Sequence, residues 1–187
     1  MAQRHIWLFS LAALFSLSAC GEHLGNYEVE EVRRVSEMPR GDAVDFPHPV
    51  YREFLRIELS SSTNLNRMDT GAGLYVDADF CPMDNRLQII AFGPLATDGH
   101  SVENWLRTTA LQPSDKDGRF HYYVYVVPRS PARKPYSNSP DLIPEYDLRT
   151  ADKDICLRFF IPGYNIVKSR SDVVEVPASA LQTALRD

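Results

Sequence analysis

No Cys-x-x-Cys, His-x-x-x-His or His-Glu-x-x-His spacing occurs in this chain of 187 residues, so the usual zinc arrangements have no residues to build them. Three cysteines are too few for a disulfide-dense scaffold. Glycine is scarce at nine residues, and Gly71 and Gly73 open no helix, which leaves no phosphate-cradling loop. Basic residues are outnumbered, 20 Lys and Arg against 25 Asp and Glu. That balance argues against nucleic acid as a partner and against electrostatic attachment to anionic headgroups. There is no internal repeat, and helical periodicity is rare. No apolar run is long enough to span a bilayer. The longest, Ile6 to Leu17, holds about twelve residues behind the basic head Arg4-His5, the proportions of a signal-peptide h-region.

That run ends in Leu17-Ser18-Ala19-Cys20. A small residue before cysteine, with a branched aliphatic three positions upstream of it, resembles the lipobox of bacterial lipoproteins. The resemblance implies a signal peptide over residues 1–19, cleavage between Ala19 and Cys20, and acylation at Cys20. The partner it implies is the membrane, held through N-terminal acyl chains, each buried methylene contributing about 0.8 kcal/mol. Gly21 stands where Asp resembles an inner-membrane retention signal, so the expected location is the outer membrane, facing the periplasm. Cleavage leaves 168 residues with 19 basic and 25 acidic side chains, a net charge of −6. Cys81 and Cys156 then form an even pair in an oxidising compartment, where a disulfide is expected. Closing that loop stabilises by roughly 4 kcal/mol on the chain-entropy account. A reactive or metal-binding thiol is the other option, with no nearby histidine or second cysteine to support it.

Residues 20–48 read as the lipidated N-terminus and a charged, proline-punctuated tether, and 49–187 as one domain. Tyr27-Glu28-Val29-Glu30-Glu31-Val32 offers an edge strand instead. From Tyr51 the pattern has period two. Leu55, Ile57 and Leu59 alternate with Arg56, Glu58 and Ser60, and similar alternation recurs over 74–81 and 155–161. His121 to Val127 is dense in strand-forming residues. Both Cys81 and Cys156 fall opposite the aliphatic stripe of their strands. Helix is expected over Val102–Leu111, capped by Ser101, and over Ser179–Leu185. The fold class is all-β, an antiparallel β-sandwich of immunoglobulin-like architecture with one or two short helices. Its longest irregular stretch, Pro128 to Asp147, carries five prolines, and loops of that length are often functional.

Chemistry-bearing patterns are weak. Asp69-Thr70-Gly71-Ala72 matches an aspartic-protease tetrad, yet polar residues precede it and no second copy exists, so a turn is the better reading. Gly99-His100-Ser101-Val102-Glu103 begins like a nucleophile elbow, but Glu103 stands where glycine is needed. Asp77 and Asp79 share a strand face, read as solvated rather than as paired acids or a calcium site. No catalytic, cofactor or metal residue is assigned, and the chain is read as a non-enzyme. Tyr123, Tyr125, Arg129, Arg133, Lys134 and Tyr136 are the candidate partner-binding residues, because Tyr and Arg anchor protein interfaces. The bland account is one tyrosine face in the core and a solvated loop.

The stretches Asp154-Ile155-Cys156-Leu157, Gly163-Tyr164-Asn165 and Ser171-Asp172-Val173-Val174-Glu175-Val176-Pro177 resemble small proteobacterial outer-membrane lipoproteins, some of them type VI secretion immunity proteins. The resemblance implies a periplasm-facing binder that occludes a toxin. The alternative expectation is a structural or assembly lipoprotein of an envelope or secretion machine, whose partner is an envelope component.

Overall fold

A computed structural model describes residues 22–36, 51–68, 73–84, 86, 88–95, 118–134, 140–162 and 169–186. In chain order its elements are β1 (Glu28–Val35), β2 (Phe54–Ser61), β3 (Tyr75–Phe80), β4 (Ala91–Leu95), β5 (Phe120–Val126), β6 (Arg129–Ser130), β7 (Tyr146–Asp147), β8 (Ile155–Ile161), β9 (Ser169–Arg170), β10 (Val174–Val176) and α1 (Ala178–Arg186). Among the described residues the fold is all-β with one short α-helix. One antiparallel sheet runs β1-β2-β5-β4 and the other runs β10-β8-β3, with β9 beside β8. The tetrad at 69–72, the elbow-like 99–103 and the expected helix at 102–111 lie outside the described residues.

Period-two alternation decides what faces inward. Leu55, Ile57 and Leu59 of β2 meet Tyr122, Val124 and Val126 of β5, all fully buried. Ala78 of β3 and Ile155, Leu157 and Phe159 of β8 close the core from the other sheet. The helix seals one end with Leu181, Ala184 and Leu185. It begins after Pro177, and its first free N–H, on Ala178, donates to Asp154 Oδ1 at 2.7 Å, a cap supplied from the turn before β8. Residues 89–90 tie the sheets together: Ile89 N–H donates to Ala78 O of β3, and Ile90 O accepts from Val127 N–H.

Cys81 and Cys156 are bonded, with Cα atoms 5.2 Å apart. The bridge ties the end of β3 to β8 on the outer face of one sheet, where Asp79 is already the register partner of Cys156. It does not cross between sheets as in immunoglobulin domains.

Two expectations need correction. Residues 20–48 are not a tether throughout, because residues 28–35 form β1, paired with β2 from Glu28↔Ser60 to Val35↔Phe54. The edge strand that Tyr27–Val32 offers is the alternative that holds, and a bulge at Glu30 interrupts its alternation. The register steps from Val29↔Leu59 to Glu31↔Glu58, so the inward valines Val29 and Val32 stand three apart instead of two, while Val35 lies on the outer face beside Phe54. The folded domain therefore begins near residue 22, well before 49. Nor are Asp77 and Asp79 solvated. Asp77 Oδ2 pairs with Arg158 Nη2 at 3.4 Å, and Asp79 is fully buried, its Oδ1 accepting the Gln88 N–H at 2.7 Å. Residues 88–89 fold back beside β3, where Gln88 reaches Asp79 and Ile89 N–H donates to Ala78 O.

Three tyrosines hold the core together by their hydroxyls. Tyr27 donates to Leu24 O at 2.7 Å, Tyr122 donates to Thr63 O and accepts from Leu65 N–H, and Tyr146 donates to Val127 O and accepts from Ile90 N–H. Burial pushes Tyr146 up to about 12, and Tyr27 and Tyr122 higher still. A phenol with a raised folded pKa contributes fully below its unfolded value near 10, and that contribution is lost as pH rises toward the folded value. Stability is therefore expected to hold to about pH 10 and to fall steeply between about 10 and 12. The tyrosinate absorbance of Tyr27, Tyr122 and Tyr146 should appear in one cooperative step together with loss of circular dichroism. Ionisation of these three before any unfolding would contradict this.

Candidate functional site

The outer face of the four-stranded sheet is built by the residues between the core positions. On β5 these are His121, Tyr123 and Tyr125; on β2 they are Phe54, Arg56, Glu58 and Ser60. Register sets Arg33, Arg56, Tyr125 and Phe92 in one row and Glu31, Glu58, Tyr123 and Leu95 in the next. The face divides into two halves. At one end Tyr51, Phe54, Phe92 and Tyr125 meet in edge-on and tilted pairs with ring centroids 6.2–6.4 Å apart, beside Val127 and Leu95. Toward the other end the face is charged. His121 Nδ1 lies 3.0 Å from Glu58 Oε1, and Glu31 receives Arg33 at 2.6 Å and Arg56 at 3.4 Å. The Arg56 guanidinium also sits 5.0 Å above the Tyr123 ring, joining the halves.

Next to the aromatic half, the chain leaves β5 and forms a ribbon. β6 pairs with β7, and further out Arg133 and Ile143 exchange backbone hydrogen bonds of 3.0 and 2.8 Å. At its base, Glu53 binds Arg34 of β1 at 2.7 Å and Arg149 just after β7. The long loop is thus an ordered hairpin for much of its length, with its tip outside the described residues.

The six candidate binding residues separate accordingly. Tyr125 is only 4% exposed and packs in the aromatic cluster, so its ring is structural and offers no surface anchor. Tyr123 is half-buried beneath Arg56. Arg133 turns inward and donates from both Nη atoms to Gln88 O at 3.2 Å, fastening the ribbon to the segment before β4. Arg129 and Lys134 are exposed on the ribbon, and Tyr136 lies outside the described residues. Leu142, 63% exposed opposite them, joins this surface, although no pattern in the sequence singles it out. Tyr51, Phe54 and Phe92 are further members that the sequence expectations omit. Their signal was present, since Phe54 and Phe92 are large apolar residues on the face that Arg56 and Glu58 mark as polar.

Among the described residues no three His, Cys, Asp or Glu side chains converge as a metal site, and no helix is long and apolar enough to cross a membrane. Fold and surface define an all-β sandwich with an intrasheet disulfide, an N-terminal edge strand and a projecting basic-apolar ribbon. No known family, curated protein or solved structure matches the chain.

Proposed function

We propose that this chain is a periplasm-facing, lipid-anchored binding protein, an immunity protein that neutralises a secreted effector of the type VI kind. The observation that carries the reading is Leu17-Ser18-Ala19-Cys20 closing the apolar run, a lipobox-like sequence. The Cys81–Cys156 bond supports it, because structural disulfides persist outside the cytoplasm. The ribbon supports the binding half of the reading: Arg129 and Lys134 stand exposed near Leu142, a cationic-apolar combination suited to an acidic protein surface.

The test is protection. Cells lacking the gene should become sensitive to the product of a neighbouring gene delivered to the periplasm, and the wild-type chain should restore survival. Reversing charge at the ribbon with Arg129→Glu and Lys134→Glu should abolish rescue while leaving the circular dichroism unchanged. Undiminished survival of the deletion strain against every neighbour-encoded protein would overturn the immunity reading. Recovery of membrane machinery instead of a soluble toxin, by cross-linking from intact envelopes, would support an assembly role.

A further inference from the structure

The point where the chain enters the fold is fixed. Leu24 is fully buried, and its N–H donates to Arg170 O at 2.9 Å. Asp172 N–H donates to Gly25 O at 3.1 Å, and His23 Nε2 meets Asp172 Oδ1 at 3.0 Å. Gly25 holds φ +91°, and a Cβ there would fall 2.0 Å from Thr63 Oγ1, so only glycine passes. Three residues separate Leu24 from Cys20, four steps of chain. Fully extended they reach at most about 14 Å. A lipid on Cys20 therefore holds this end of the sandwich against the bilayer.

That end has a composition of its own. His23 bridges to Arg170, Arg170 pairs with Phe160, and Phe160 pairs with Tyr75, one continuous row across the sheet. Tyr75 and Phe160 stack on the outer face with centroids 5.7 Å apart. Tyr75 is 50% exposed, and Val173, which shares that face with Arg158, is 47% exposed. Of the large hydrophobics exposed among the described residues, Tyr75 lies at the entry corner, Val173 stands one row further along the same face beside Arg158, and the third, Leu142, lies on the ribbon at the opposite end. Aromatic rings beside an arginine are what a lipid headgroup layer accepts, the rings among the glycerol groups and the guanidinium on phosphate. β2, eight residues long, sets the two ends roughly 25 Å apart.

We propose that the corner formed by Tyr75, Phe160, Arg170 and Val173 rests on the lipid headgroups, which directs the Arg129–Lys134 ribbon away from the membrane. The inference rests on acylation of Cys20. It replaces a freely tethered domain by one held in a defined orientation.

The experiment uses the full acylated chain in phosphatidylethanolamine–phosphatidylglycerol vesicles that contain brominated lipid. Two reporters are compared in a Trp105→Phe background, Tyr75→Trp at the corner and Leu142→Trp on the ribbon. The Tyr75→Trp emission should be quenched roughly threefold or more relative to Leu142→Trp, as expected for an indole at headgroup depth. A Gly/Ser spacer of about 20 residues between Gly21 and Glu22 should remove that difference while the protein stays bound. Equal quenching of both reporters in the acylated chain, or stronger quenching at Leu142→Trp, overturns the orientation alone. An intact mass showing unmodified Cys20 overturns the lipoprotein reading, and the orientation with it.

Discussion

Replacing both Cys81 and Cys156 with Ala is expected to lower the unfolding free energy by roughly 4 kcal/mol, enough to cost about 8–16 °C in Tm for a chain of this size. The bond joins residues 75 apart in sequence. The intervening chain includes β4, β5, β6 and β7, so one cross-link shortens the unfolded ensemble of about two-fifths of the chain. On the native side the bridge asks for little rearrangement, since β3 and β8 already pair from Tyr75↔Phe160 to Phe80↔Ile155. The measurement is urea denaturation of the wild type, with and without reductant, and of the double alanine variant. The m-value should rise when the link is removed, because the released chain exposes more surface on unfolding. A loss below about 1 kcal/mol with unchanged m would mean that the cross-link does not constrain the unfolded chain.

The strands that were legible are those whose burial is one-sided and uninterrupted. Leu55, Ile57 and Leu59 could be assigned to a core face because Arg56, Glu58 and Ser60 intervene without a slip. The helix at 178–186 was legible for a similar reason, its aliphatic residues recurring at helical spacing behind Pro177. Placing Cys81 and Cys156 opposite the aliphatic stripe already pointed to a bridge on the outer face. What stayed hidden depends on contacts between distant segments. Asp79 looks like a surface acid until Gln88 returns across it, and no local pattern announces that return. Tyr125 looks like an interface anchor until Phe54 and Phe92, 71 and 33 residues away, enclose its ring. The ribbon was read as irregular because prolines interrupt it. Its order comes from the Arg133–Ile143 backbone pair and from Arg133 gripping Gln88 O, neither of which has a periodic signature.

The N-terminal segment gives the sharpest separation between the tether expectation and the observed fold. Tyr27 lies between the two sheets. Its ring stands edge-on to Tyr122 of β5 at 5.9 Å and to Phe159 of β8 at 4.7 Å, while its hydroxyl satisfies the carbonyl of buried Leu24. Tyr27→Ala should therefore destabilise by about 3–5 kcal/mol, the cost of a large aromatic removed from a core plus the cavity it leaves. Tyr27→Phe keeps both ring contacts and loses only the hydrogen bond, so a cost of about 1 kcal/mol is expected. A gap of that size between the two variants means that the ring's packing stabilises the fold more than its hydroxyl does. A residue in a solvated tether would show neither effect, both substitutions staying within about 0.5 kcal/mol of wild type. Deleting residues 22–36 should go further still, because β2 would lose one of its two partner strands and Leu24, Tyr27, Val29 and Val32 would all leave the core. That variant is expected to show no cooperative urea transition. The residues that lead into β1 thus complete the core as well as the sheet, and lengthening the chain between Gly21 and Glu22 is expected to leave the unfolding free energy unchanged.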